Sequence, residues 1–377
     1  MYLCKSDIMK VIRTILFVLN ILLAAGLILT TLAGGMRPSQ WLLPSLLAYG
    51  YLPLLGANVL MVLLWALMKR WEFLLSVAAI AVRWSMVGLF FQVGGTGKVP
   101  DREEHPQMVT VMSYNVHMFY GTGGNVVKLS QTDSNAAKFL ALVREHRPDV
   151  LCLQEYQPPK TLALTDSLVL LGYNHYYGSH TVSGGRPSGT VVFSRLPISY
   201  VTRIDNTKLL VELLHEEQRI RVCCVHMDSY QFDNSDREEI ERMRHGEVQE
   251  SSRKTIGKVK ETILNHETEW EQHLKQVVTE STVPLVLAGD MNDIPGSWLY
   301  QQVTRHLSDT YREKGVGFVT TYNGGDEQLL PVGSGWLPKF RIDMVFHSDG
   351  LRTLSYRRIK TRISDHYPVL VAVEVEK

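Results

Sequence analysis

Two stretches without a single charged residue, 14 to 36 and 38 to 68, constrain this chain more than anything else in it. Each exceeds the roughly 20 apolar residues that carry a helix across a bilayer, so two spanning helices are expected. A third apolar run lies between Glu72 and Lys98, interrupted by Arg83, and is also expected to span, with Arg83 finding a partner or snorkelling to the interface. The first run outlasts the roughly 7 to 15 apolar residues of a cleaved signal, and more membrane-like sequence follows, so a retained anchor is expected. Lys5, Lys10 and Arg13 precede the first run, which puts the amino terminus in the cytoplasm. Three crossings then place the remainder outside: in a bacterium-like cell, a multi-pass inner-membrane protein with its carboxyl-terminal part in the periplasm; if the Arg83 run does not cross, that orientation inverts. Arg83 and Asn58 are the polar groups that stand out within the runs, fewer than a transport pathway would require.

The rest of the chain has another character. Residues 1 to 98 form the expected anchor, 99 to 107 a Gly-, Pro- and charge-containing linker, and 108 to 377 one large domain. From Pro100 onward 31 Lys and Arg stand against 36 Asp and Glu. That balance disfavours a general duplex-binding protein, which carries a basic footprint. Cys152, Cys223 and Cys224 fall within apolar runs and none has zinc-type spacing, so buried thiols are expected. Short apolar runs at 108 to 116, 149 to 155, 189 to 194, 219 to 227, 283 to 290, 342 to 347 and 368 to 375 read as strands. A helix is expected over 134 to 146, capped by Ser134 and closed before Pro148, and an amphipathic helix or pair over 236 to 280.

Polar residues recur at one end of these strands. Asn115 ends the first, Glu155 the second, His226 the fourth, and Asp290 and Asn292 the fifth; Asp343 opens the sixth, and Asp365 with His366 precedes the last. Side-by-side strands bring such a set together. Carboxylates and amides with few thiols suit a hard, oxygen-preferring cation such as Mg²⁺ or Mn²⁺ and the hydrolysis of phosphate esters. Asp290 and Asn292, two apart on extended chain, are expected to face the same way. Asp293, ahead of Pro295 and Gly296, reads as a turn residue. His117 shares a face with Asn115 by alternation and is left outside the site.

The segments SYNVH, LCLQE, SGTVVFSRLPI, VCCVHMDS, LAGDMND, RIDMVF and ISDHYPV resemble, in order and spacing, the endonuclease/exonuclease/phosphatase superfamily, the metal-dependent phosphoesterases related to DNase I. The resemblance covers 108 to 375. It implies an α+β fold, a four-layer αββα sandwich, here preceded by transmembrane helices. It further implies that Glu155 is the main metal ligand with Asn115 beside it and Asp365 as an additional carboxylate. Asp290 would orient or deprotonate the attacking water, Asn292 and His226 would contact phosphate, and His366 would stabilise the transition state with Asp343 orienting it.

Substrate choice is less constrained. FRIDMVFHS lacks the Asp-Arg typical of phosphoinositide phosphatases, and Trp336 stands five residues before Arg341 rather than directly beside an Arg-Ile-Asp as in abasic-site nucleases. The implied activity is phosphodiester, or else phosphomonoester, hydrolysis on extracellular nucleic acid, lipid head groups or small phosphoesters, with the bilayer as a further partner. The alternatives are a sphingomyelinase-like lipid phosphodiesterase and a catalytically silent binding or scaffold module on the same fold.

Overall fold

The structure, a computed structural model, describes residues 5–121, 129–159, 161–182, 185–230, 236, 239, 242, 250–322 and 340–376. Cys4 and Trp336 lie outside these. The chain divides into two compact units, Met1–Phe90 with Gly296–Gln302, and Phe91–Pro295 with Val303–Lys377. The first unit ends at Phe90, ahead of the expected boundary at 98.

In the first unit, α1 (Lys5–Leu29) continues through a 3₁₀ turn, and Ile8–Gly34 is the one described helical stretch that by itself is long and apolar enough to cross a membrane, at 27 residues. The second charge-free run folds as α2 (Leu42–Tyr49) and α3 (Tyr51–Leu67), bent by 70°. Pro53 in the first turn of α3 has no N–H for the Tyr49 carbonyl, and the helix breaks at Gly50. The third run yields α4 (Phe73–Val82), whose 10 residues end at Arg83. Ten residues rise only about 15 Å, half the hydrocarbon thickness. The expectation of three spanning helices is corrected accordingly: one stretch qualifies, two if the bent pair is a single span.

Asn20 on α1, Asn58 on α3 and Ser76 on α4 are fully buried together. The Ser76 hydroxyl lies 2.6 Å from Asn20 Oδ1 and 2.9 Å from Asn58 Oδ1, while the amide nitrogens donate to the Glu72, Leu23 and Leu54 carbonyls. Arg83 does find a partner: its Nε donates to Thr30 Oγ1 at 3.0 Å. Such contacts hold apolar helices together, since hydrophobicity alone does not select one helix face over another in lipid.

The second unit contains β1 (Met108–Asn115), β2 (Val150–Tyr156), β3 (His175–Val182), β4 (Arg186–Ser194), β5 (Ile198–Arg203), β6 (Lys208–His215), β7 (Gln218–His226), β8 (Leu285–Asp290), β9 (Ser308–Asp309), β10 (Asp343–His347), β11 (Leu351–Arg358) and β12 (Val369–Val375). They form two six-stranded mixed sheets, in the orders β11-β12-β1-β2-β4-β3 and β9-β10-β8-β7-β6-β5. Val109, Val111 and Cys152 of one sheet share a buried apolar cluster with Val211, Val222, Cys224, Val286, Ala288 and Val345 of the other. On the outer face of the first sheet, Met112, Tyr114, Leu151 and Leu153 pack on Phe139 and Val143 of α5 (Leu129–His146). This is an α+β sandwich. All seven expected strands are present, and Cys152, Cys223 and Cys224 are free and buried.

Two helix expectations change. Ser134 lies inside α5, which begins at Leu129, and is not its cap. The segment 236 to 280 resolves, where described, into α6 (Glu250–Glu269), a π-turn at Trp270–Leu274 and a short helix Lys275–Thr279, with Ile263, Trp270 and Leu274 buried as an amphipathic helix requires.

Candidate active site

Alternation along the central strands fixes where the site lies. The residues facing the other sheet are Val109 and Val111 on β1, Val222 and Cys224 on β7, Val286 and Ala288 on β8, and Val345 on β10. Continuing each phase by twos along the strand gives Asn115, His226, Asp290 and Asp343. Four polar side chains therefore end the inter-sheet core at one mouth, and the direct pairing of Asp343 with Asp290, and of His226 with Asp290, holds them level.

Glu155 is out of phase, and the backbone explains how it joins them. Leu151, Leu153 and Tyr156 all belong to the cluster under α5, so one extra residue stands between Leu153 and Tyr156. The β2 to β4 register slips there, and Glu155 adopts φ 49°. A bulge of this kind re-aims one side chain. Left-handed backbone at a non-glycine costs on the order of 1 kcal/mol or more and persists only where the surroundings hold it.

Asn115 cross-links two carboxylates: its Nδ2 donates to Glu155 Oε1 and to Asp290 Oδ2, both at 3.0 Å, and its Oδ1 accepts the His117 N–H. Asp290 is buried. Burial raises its pKa, the His366 charge lowers it and the Asp343 charge raises it, and the net direction is upward. His366 Nδ1 lies 2.9 Å from Asp343 Oδ2, leaving Nε2 turned to Asp290 Oδ2 at 3.7 Å. Burial disfavours the imidazolium, but the carboxylates of Asp343 and Asp290 outweigh it and hold the His366 pKa well above the ordinary value. His226 Nε2 is buried without a hydrogen-bond partner among the described residues, 3.7 Å from Glu155 Oε1 and 3.8 Å from Asp290 Oδ2. An orphaned buried nitrogen of that kind is expected where a ligand completes the site.

Asn292 departs from the expected geometry. The strand ends at Asp290, and Asn292 has φ 45°, so alternation does not extend to it. Its N–H instead donates to Asp290 Oδ1 at 2.9 Å and its Nδ2 to the Met227 carbonyl at 2.9 Å, tying the loop after β8 to the loop after β7. Asp293 is more than a turn residue: it is buried, and its Oδ2 lies 3.2 Å from His266 Nδ1. Asp365 stands at the mouth with Oδ1 3.3 Å from His117 Nδ1 and 3.2 Å from Ser364 Oγ. His117, left out on the sequence, is thus brought to the site, through three consecutive positive-φ residues, His117 to Phe119, rather than by alternation. Ser364, whose hydroxyl donates to the Asn115 carbonyl at 2.8 Å, was missed; its place directly before Asp365 was the available signal.

The donors fit a hard divalent cation. Glu155 and Asp365 offer oxygens at the open side, whereas in the compact group Asp290, Asp343 and His366 the imidazole Nδ1 is committed to Asp343 and Nε2 faces Asp290.

Residues 112–245 and 263–366 match the model of the endonuclease/exonuclease/phosphatase family, and residues 13–90 match a domain family of unknown function. No curated protein matches. Similar solved structures include an endonuclease/exonuclease/phosphatase from Beutenbergia cavernae, 19% identical over 71% of this chain and 72% of that one with a TM-score of 0.45. The catalytic domain of human Nocturnin with a bound sulfate anion is 15% identical over 74% of this chain and all of that one, at a TM-score of 0.46. TDP2 from Caenorhabditis elegans is 14% identical over 81% and 82%, also at 0.46.

Proposed function

The chain belongs to the endonuclease/exonuclease/phosphatase family, and on that premise we propose that it is a membrane-anchored, divalent-metal-dependent phosphoesterase that hydrolyses phosphodiesters by in-line attack of water. The observation that carries this reading is the mouth of the inter-sheet core, where Asp290 is faced at 3.7–3.8 Å by two imidazole nitrogens.

Asp290 accepts a proton from the attacking water on its outer oxygen, its inner Oδ1 being held by the Asn292 N–H. A raised pKa makes that carboxylate a stronger base. As the water oxygen bonds to phosphorus and the leaving oxygen departs with its electron pair, charge builds on the non-bridging oxygens. His366, held protonated by Asp343, donates to one of them through Nε2, and His226 contacts another. Asn292 positions His226 through Met227 and presents its remaining amide hydrogen to phosphate. Glu155 and Asp365 would hold the cation, with Asn115 fixing Glu155. Bound there, Mg²⁺ or Mn²⁺ supplies further neutralisation of the phosphate charge.

The anchor is Ile8–Gly34. With Lys5, Lys10 and Arg13 on the cytoplasmic side, one crossing places the catalytic unit outside, as three would, and two would place it inside. The substrates within reach are then extracellular nucleic acid, lipid head groups or small phosphoesters. Full-length protein in detergent micelles, incubated with bis-p-nitrophenyl phosphate, p-nitrophenyl phosphate, plasmid DNA and sphingomyelin, is expected to turn over a diester with Mg²⁺ and to stop with EDTA. Turnover of sphingomyelin alone would favour the lipid phosphodiesterase, and turnover of nothing would leave a silent module of the same fold. A reporter fused after residue 100 is expected to read outside; a cytoplasmic signal would reverse the topology.

A further inference from the structure

His266 lies on α6, away from the reacting groups, yet is 1% exposed. Its two ring nitrogens both face oxygens: Nδ1 meets Asp293 Oδ2 at 3.2 Å and Nε2 meets the Asp228 carbonyl at 2.8 Å. A carbonyl and an ionised carboxylate only accept, so a neutral ring, with one N–H, satisfies one of the two contacts and the imidazolium satisfies both.

The two acceptors belong to different loops. Asp228 follows His226 and Met227 at the end of β7, and Asp293 follows Asp290 and Asn292 at the end of β8. The same loops are joined by Met227 N–H to the Asp290 carbonyl at 2.9 Å and by Asn292 Nδ2 to the Met227 carbonyl at 2.9 Å. His266 therefore closes a ring of hydrogen bonds behind the two loops that carry three of the proposed catalytic groups. Resting on the phosphoesterase reading, we infer that His266 is a positioning residue, a buried cation whose paired contacts to Asp293 and Asp228 set the placement of His226 and Asn292 on the phosphate.

The charges around the ring support that state. Burial opposes the imidazolium, but Asp293, the Asp228 carbonyl and Glu269 favour it, and the net direction is upward from the ordinary histidine value. Glu269, one turn along α6, is itself anchored by the fully buried Lys208 of β6 at 2.6 Å and accepts the Asp228 N–H at 3.1 Å. The Asp228 carboxylate takes the Asn265 amide at 2.6 Å, and the Tyr230 ring stands edge-on to His266 at 6.4 Å.

The test uses full-length protein with ¹³Cε1-labelled histidine in detergent micelles, the His266 resonance being assigned by its loss in His266→Gln. The expected signal is that of an imidazolium persisting above the ordinary histidine value, because Asp293 and the Asp228 carbonyl hold the ring charged. Asp293→Asn is expected to bring that titration down to the ordinary value or below. With Mg²⁺ and bis-p-nitrophenyl phosphate, it should also move the alkaline limb of kcat/KM to lower pH and reduce kcat/KM roughly 10- to 100-fold. A neutral His266 in the parent at neutral pH, or an Asp293→Asn profile superimposable on the parent's, would overturn the proposal. Should the parent turn over no phosphoester, the phosphoesterase reading fails, and the resonance still decides the charge state on which the clamp depends.

Discussion

Each unit buries a polar cluster in apolar surroundings, and the two clusters differ in how completely their valences are used. Around Asn20, Asn58 and Ser76 each amide nitrogen donates to a backbone carbonyl and both amide oxygens share one hydroxyl, at 2.6 to 3.2 Å. Around Asp290 the approaches of His226 and His366 stop at 3.7 to 3.8 Å, one imidazole nitrogen has no hydrogen-bond partner among the described residues, and Glu155 and Asn292 sit in left-handed backbone. A satisfied network lowers the energy of the fold. A cluster that stays open while holding like charges together stores capacity for a ligand. The difference separates polar groups that assemble the molecule from those that act on something else, and substitutions should sort the same way.

The largest effect is expected at the open cluster. Asp290→Asn should reduce kcat/KM on a turned-over diester by on the order of 100- to 10,000-fold, the contribution of a general base. Because burial raises the Asp290 pKa, the folded state disfavours its ionised form, and stability from this group falls as pH rises from the ordinary carboxylate value through the raised one. The neutral amide removes that charge cost but keeps only one of the two hydrogen bonds Asp290 accepts, from Asn115 and Asn292, so the two effects oppose each other and the variant should melt close to the parent at neutral pH in a thermal scan. Next comes His226→Ala, with a loss of roughly 100-fold in kcat, as for one donor to a developing oxyanion, and an unchanged melting temperature. A cooperative loss of stability in either variant would blur the comparison.

The closed clusters should show the reverse. Ser76→Ala is expected to lower stability by about 1 kcal/mol, read as a lower midpoint in a detergent melt, with kcat/KM unchanged. The smallest effect is expected at the edge of the second sheet, where His347 Nε2 lies 2.9 Å from Glu313 Oε2. Burial opposes the His347 charge but Glu313 raises its pKa above the reference 6.5, while the Glu313 pKa, raised by burial, is brought below 4.5 by His347. The pair contributes fully between those reference values, is lost as pH rises through the raised His347 value, and is lost again as pH falls through the lowered Glu313 value. With Glu313 partly exposed, His347→Gln should cost no more than about 1 kcal/mol near pH 5.5, less in alkali, and nothing in activity.

How much of this was legible in the sequence follows from what local pattern can encode. The strands rich in buried Val, Leu and Cys, and the polar residue ending each, announced themselves because alternation and burial coincide there. β3, HYYGSHTV, and β5, ISYVTR, were not anticipated, since their exposed faces dilute the apolar signal. β6 opens on Lys208, a lysine made tolerable inside by Glu269 some sixty residues later, which no local window contains. Asp290, Asn115 and His226 follow from strand phase, whereas Glu155 arrives through a bulge and Asn292 through a turn, both backbone events that composition does not specify. The Asp293–His266 pair and the Asn20–Ser76–Asn58 cluster are long-range contacts between residues that look unremarkable singly. The charge-free runs set the amount of apolar helix, but Gly50, Pro53 and Arg83 decided how it breaks.

The most direct test is to measure kcat/KM for a diester with Mg²⁺ in the full-length parent, Asp290→Asn and Ser76→Ala, with a thermal melt of each sample. Asp290→Asn is expected to lose at least about 100-fold in activity while melting close to the parent, and Ser76→Ala to melt earlier at full activity. An Asp290→Asn protein as active as the parent, or a Ser76→Ala protein that loses activity while its melt is unchanged, would contradict the assignment of catalysis to the open cluster.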